Sequence, residues 1–253
     1  MSALDFLSTD LADEGLPARS PIARETLAAG ARVERREGWE LAVGYADHGA
    51  ELRAIASAVA LIDCSQLGAL ELQAGERELD ELPAPPRPGG IAIRADGAWW
   101  CRVTPTRALV LSEPSATPAL RARLDAEPGR HVLDVTGAFS KLALAGPLAR
   151  DTLARFCALD LRAHVVAVGG FRPGSLARTP GAVLREADER YLLIFGAAYA
   201  GYVWSVVADA VEQLGGRVAG LEALAEAAPL STAARDRSSA DGMVTRREEP
   251  HDA

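Results

Sequence analysis

The sequence predicts an α+β fold made of two pseudo-repeated α/β halves, on three observations. Leu61–Gly75 reads LIDCSQLGALELQAG, and Leu133–Gly146, LDVTGAFSKLALAG, is a variant of it. In both, a hydrophobic lead-in meets an Asp (Asp63, Asp134), a hydroxyl follows two residues later (Ser65, Thr136), and an Ala-Gly pair precedes a helix-like segment. The order strand, helix, Pro/Gly link, hairpin, strand, helix also occurs twice, which marks a repeat more strongly than the shared letters do. Finally, 253 residues that are 49% hydrophobic and 25% charged suit a globular chain able to bury a core. The expected organisation is a disordered arm at 1–18, halves at 19–130 and 131–225, and a charged, Ser/Ala-rich disordered tail at 226–253.

In the first half, Ser20-Pro21 places a hydroxyl and a proline where a helix begins, and the helix stops near Gly30. Val33–Tyr45 reads as a strand, its second end alternating Trp39, Leu41, Val43 and Tyr45. Helix formers occupy 50–57, and Ala60–Leu72 reads as one strand with a turn in it. A short helix (76–82) and a Pro/Gly connector (82–90) lead to strands at 90–94 and 99–103, joined through Asp96-Gly97 as a hairpin. A strand at 107–112 and a helix at 116–124 complete the unit. The second half repeats this with a turn-containing strand (133–145), a helix opened by Gly146-Pro147, and a connector (169–174). Strands at 175–179, 182–185 and 190–195 and a helix at 199–214 follow.

Several function classes are excluded by composition. No apolar run reaches the ~18–20 residues of a membrane span, and the acidic start lacks the n- and h-regions of a secretory signal, so the expectation is a cytoplasmic protein without a membrane partner. Cys64, Cys101 and Cys157 are too widely spaced for a disulfide framework or a metal site. A net charge of −8 argues against nucleic acid. All but one of the 27 basic residues are Arg, the exception being Lys141.

Gly38–Gly68, with its Gly-Trp-Glu-x-x-Val-x-Tyr, a Glu-containing helix and Leu-x-Asp-x-Ser-x-x-Gly, resembles the N-terminal folate-binding region of the glycine cleavage T protein, an aminomethyltransferase. Residues 133–161 resemble the same superfamily, and especially the gamma subunit of heterotetrameric sarcosine oxidase. Ala177–Thr179, Tyr191–Phe195 and the Trp204 helix continue the likeness. The resemblance covers roughly 20–224 and implies the T-protein folate-binding fold, two halves around a folate-sized cleft, lacking the C-terminal barrel. It implies tetrahydrofolate as the ligand and flavin-dependent oxidase subunits as partners. The paired Asp residues that follow a Gly-Gly in active members have Asp96-Gly97-Ala98-Trp99-Trp100-Cys101 as their nearest counterpart, with Trp and Cys in place of acids. The pterin-holding Glu of the family's Thr-Gly-Glu motif should fall near 178–184, where no carboxylate stands until Glu186.

The cofactor-binding candidates are Tyr45, Asp96, Trp100, Arg178 and Glu186; no catalytic residue is assigned. Tyr45 and Trp39 share a strand face and could stack on a pterin or pack in the core. Trp99 and Trp100 point to opposite faces of a strand, so one is buried and the other exposed or in the cleft. Arg178 could meet a folate glutamate tail or sit on the surface. Asp63, Asp134, Ser65 and Thr136 read more readily as turn residues than as ligand contacts. Cys101 reads as inert, His48, His131 and His164 as structural or surface residues, and Gly146-Pro147 as a helix-initiating turn or an anion cradle. Three functions follow from the resemblance. The first is a catalytically degenerate accessory subunit beside a sarcosine or dimethylglycine oxidase. The second is a compact tetrahydrofolate-dependent aminomethyltransferase using Glu40, Asp96 or Glu186. The third, a folate-binding protein of iron–sulfur assembly, lacks its Lys-Gly-Cys-Tyr-x-Gly-Gln-Glu motif here.

Overall fold

The computed structural model describes residues 16–83 and 87–227, so the expectations for 1–15 and 228–253 lie outside the described residues. In chain order, β1 (Ala18–Arg19), α1 (Ala23–Ala28), β2 (Arg32–Arg36), β3 (Trp39–Gly44) and α2 (His48–Ser57) come first. They are followed by β4 (Ala60–Asp63), β5 (Gly68–Gln73), α3 (Glu76–Asp80), β6 (Ile93–Ala95), β7 (Ala98–Thr104), β8 (Arg107–Ser112) and α4 (Thr117–Asp125). The chain then forms β9 (His131–Asp134), β10 (Phe139–Ala145), α5 (Ala149–Leu153), β11 (Phe171–Leu176) and β12 (Thr179–Ala187). It ends its described part with β13 (Arg190–Gly196), α6 (Ala200–Gln213), β14 (Arg217–Val218) and α7 (Leu221–Ala227).

Local chemistry corrects several expectations. The strand expected over 33–45 is a hairpin, because Glu37 and Gly38 both take positive φ (50° and 78°) and reverse the chain in two residues. The hairpin expected at Asp96-Gly97 is present, with φ of 52° and 75°. A third such turn sits at Ala177 and Arg178 (φ 47° and 63°), where no glycine announces it, so the strand expected over 175–179 crosses a reversal. Ala18, inside the expected arm, pairs in parallel with Trp39, and α7 runs to Ala227, inside the expected tail.

The larger correction concerns the turn-containing strands. β4 and β5 part company at Cys64–Leu67: β4 pairs antiparallel with β10, and β5 pairs antiparallel with β9. The two larger sheets have the orders β6-β7-β8-β5-β9 and β11-β12-β13-β10-β4-β14, and β1-β3-β2 form a small third one. One strand from each side of residue 130, β4 or β9, therefore joins the sheet built mostly by the other side, and the boundary expected near residue 130 does not separate the sheets.

Alternation along these strands sorts side chains into layers. Leu61, Leu144, Leu193 and Phe195 face α6, where Val203, Trp204 and Val207 meet them. Ile62, Ala143, Leu184 and Ile194 turn the other way and meet Cys101, Leu109 and Leu111 of the five-stranded sheet. Leu70, Leu72, Trp100 and Val110 form the outer face of that sheet, under α3 and α4. The middle layer, where the two larger sheets face each other, is a seam with a cavity at each end.

Candidate functional site

Two crossover turns hold the seam together. Asp63 Oδ1 accepts from Ser65 N (3.0 Å) and Asp134 Oδ1 from Thr136 N (2.9 Å), the local Asx geometry that lets a strand end turn sharply. Thr136 Oγ1 accepts from Ala69 N (3.0 Å) and Ser65 Oγ from Lys141 N (3.2 Å), tying each turn to the other half. Lys141 Nζ lies between them and donates to the carbonyls of Ser65 (3.0 Å) and Thr136 (3.1 Å). These four turn residues are buried and bonded to the scaffold, as the structural reading of them requires.

At one end of the seam a cavity of about 680 Å³ opens, within the size range of small-molecule sites. Trp99, Leu111 and Ser112 form one wall, Glu186, Arg190 and Leu192 the facing one, and Leu221 and Leu224 of α7 close a side. The polar groups converge on Glu186. Burial raises its pKa; Arg190, Arg94 and the Trp99 indole beside it oppose that rise, and Glu113 adds to it. Arg190 Nε lies 3.2 Å from Glu186 Oε2, but its N–H is not aligned on the carboxylate and has no hydrogen-bond partner among the described residues. Trp99 Nε1 is likewise buried without an aligned hydrogen bond, and the acceptor beside it is Glu186. Arg94 lies over the Trp99 ring at 5.4 Å, a cation–π contact that fixes the indole plane. A carboxylate facing two N–H donors, neither closed on it by an aligned hydrogen bond, suits a flat heterocycle carrying both donor and carbonyl edges.

Of the five candidates, only Glu186 lines this cavity. Trp100 is buried on the opposite face of β7, among Leu70, Val110 and Leu124, and it is Trp99 that reaches the cavity. Asp96 stands at an exposed hairpin tip, paired with Arg123 at 2.9 Å, because the two-residue turn points its side chain away from the seam. Tyr45 is half-buried beside Asp63 and Glu51; burial, then those carboxylates, raise its pKa. Arg178 is on the exposed β11–β12 turn, lining a separate surface hollow with Arg155 and Tyr202. Gly146 (φ 128°) brings backbone close, since a Cβ there would lie 2.6 Å from the Ala58 carbonyl, so close packing accounts for Gly146-Pro147.

Sequence reasoning passed over Arg94, Glu113 and Arg190. Period-two pairing could have found Arg94, which sits opposite Trp99 in the β6–β7 ladder. The buried thiols offer no nucleophile: burial raises Cys64, Cys101 and Cys157 alike. Among the described residues no group of three or more His, Cys, Asp and Glu is placed to hold a metal, and no helix is long and apolar enough to cross a membrane.

The sequence matches no protein-family model and no curated protein. Among solved structures, the chain is similar to the glycine cleavage system aminomethyltransferase T from Bartonella henselae, with a TM-score of 0.67 and 15% identity over 81% of this chain. The match spans 60% of that protein's length. It is also similar to a chain of the heterotetrameric sarcosine oxidase from Corynebacterium sp. U-96, with a TM-score of 0.60 and 22% identity over 79% of this chain and 97% of that one. The chain therefore has the fold that the aminomethyltransferase T protein shares with a sarcosine oxidase subunit.

Proposed function

We propose that this chain is a gamma-type accessory subunit of a sarcosine or dimethylglycine oxidase-like complex, in which the folate-binding fold is kept and one-carbon transfer is lost. The observation that carries this reading is coverage: the chain accounts for nearly all of the sarcosine oxidase subunit and for little more than half of the aminomethyltransferase. The matched strand orders of the two larger sheets support a duplicated unit. The position of Asp96, outside the cavity, supports the loss of catalysis.

The cavity residues fit tetrahydrofolate. Glu186 would accept from the amino-pyrimidine edge of the pterin, while Arg190 Nε and Trp99 Nε1 would donate to its carbonyl. Bound folate would supply an amine nucleophile for one-carbon units, and this chain's residues would orient and enclose it. The partners are flavin-dependent oxidase subunits and the compartment is the cytoplasm. Affinity purification of the tagged full chain from its native cell tests the assignment: flavin-containing subunits should co-purify in fixed ratio, and recovery as a lone monomer would overturn it.

Glu186 also favours a second reading, a compact tetrahydrofolate-dependent aminomethyltransferase, because burial raises the pKa of a carboxylate inside the cavity and suits it to proton transfer. Formation of methylenetetrahydrofolate from an aminomethyl donor by the isolated chain would establish that reading and displace the first.

A further inference from the structure

The exchange of strands that builds the polar cavity builds a second one at the opposite end of the seam. Replacing β7 and β8 by β12 and β13, and the reverse, carries the start of β7 and the end of β8 onto the start of β12 and the end of β13. The walls at that far end are Val103 and Leu109 on one side and Ala182, Ile194 and Gly196 on the other, with Phe139 and Phe171 between. They enclose about 320 Å³. We propose that this concavity is a binding site for a small, uncharged aromatic or aliphatic molecule, distinct from the folate-type cavity and independent of that assignment.

Three observations support it. The walls are strand interior rather than surface: Leu109 is 7% exposed, Phe171 2%, Ala182 8% and Ile194 2%, so a ligand there is enclosed on several sides. No polar side chain points in from these walls, so water inside lacks the partners that hold a buried water, and an apolar molecule displaces it favourably. At the rim, Arg107 is already paired with Glu71 at 2.5 Å, leaving no net charge to select an ionic ligand. Tyr199, 44% exposed at the mouth, supplies an aromatic face for stacking.

N-phenyl-1-naphthylamine, which is neutral and brightens in apolar surroundings, tests this on the full chain. The expected result is a single saturable site that excess tetrahydrofolate does not displace. Gly196 has an ordinary φ of −60°, and a Cβ there meets only the Tyr199 ring, at 3.6 Å, so Gly196→Leu fills the concavity without straining the backbone. That variant should bind the probe at least about tenfold more weakly, with circular dichroism unchanged. Ala182→Leu, from the neighbouring strand of the same wall, serves as a second variant should the first fail to fold. Absence of saturable binding, as expected if the concavity is a socket for a partner's side chain, would overturn the proposal. So would displacement by tetrahydrofolate, or wild-type affinity in a folded variant.

Discussion

Lys141→Met removes the one lysine of the chain from the junction between the sheets. Its side chain is fully buried, and Nζ reaches a third carbonyl, Phe139 at 3.4 Å, beyond those of Ser65 and Thr136. Methionine matches the length but donates nothing. A buried acceptor left unmet costs ~1–3 kcal/mol, with carbonyls at the low end, so the three together give a loss of about 3 kcal/mol near neutral pH. A pH signature accompanies this loss. Burial lowers the Lys141 pKa to about 7, against the attraction of Asp63 and Asp134. The folded value is below the unfolded one, so above pH 7 the unfolded chain holds the extra proton and stability rises with pH, by up to about 1.4 kcal/mol per unit. The three cysteines act in the opposite sense. Burial holds their folded-state pKa values up, so they remove stability once unfolded thiols ionise, near pH ~8.5. The lysine signature therefore lies between pH ~7 and ~8.5. Urea unfolding of both proteins across that window measures it. A variant within about 1 kcal/mol of wild type, or one whose stability rises with pH as steeply, would refute the reasoning.

Glu186→Gln should weaken tetrahydrofolate binding by about 10–100-fold, the worth of one charge-assisted hydrogen bond, as read by quenching of tryptophan fluorescence. Unchanged affinity would remove Glu186 from the site. Trp99→Phe should abolish most of the quenching, whereas a signal that survives in it would have to come from another tryptophan. Gly68→Ala places a Cβ 1.8 Å from Thr117 Oγ1, where β5 begins against α4, and should cost about 1–3 kcal/mol in chemical denaturation. Thr117→Ala in the same chain should recover part of the loss. Arg102→Met removes a fully buried guanidinium that bonds Asp80 at 2.8 Å and the Thr104 and Pro105 carbonyls, and should lower stability by about 3 kcal/mol. A midpoint equal to wild type would show that the guanidinium is not stabilising.

The element sequence was legible where chemistry is local. Asp96-Gly97 announces its hairpin, whereas Ala177-Arg178 makes the same turn without glycine and is held there by the β11–β12 ladder. The Asp-x-Ser and Asp-x-Thr turns were visible, but not that the chain changes sheets at them, since a crossover and a kink leave the same letters. Alternation showed that one of Trp99 and Trp100 is buried; which one depends on the sheet face that α4 covers, a long-range fact. Glu186 was found through the resemblance. Arg190 and Arg94 join it only because β6, β12 and β13 converge at one end of the seam, and distance along the chain does not record that.

The loan of β4 and β9 makes the two stretches of chain interdependent. Cut near residue 130, each would leave its larger sheet with an open edge, β5 in one piece and β10 in the other, and would carry away the strand, β4 or β9, that closes its neighbour's. Neither piece is then expected to fold without the other present, and a cut chain should recover its structure only when both pieces are mixed. The two ends of the seam that this exchange creates are lined differently. One end carries Glu186, Arg190 and Trp99, and the other Phe139, Phe171 and Ile194.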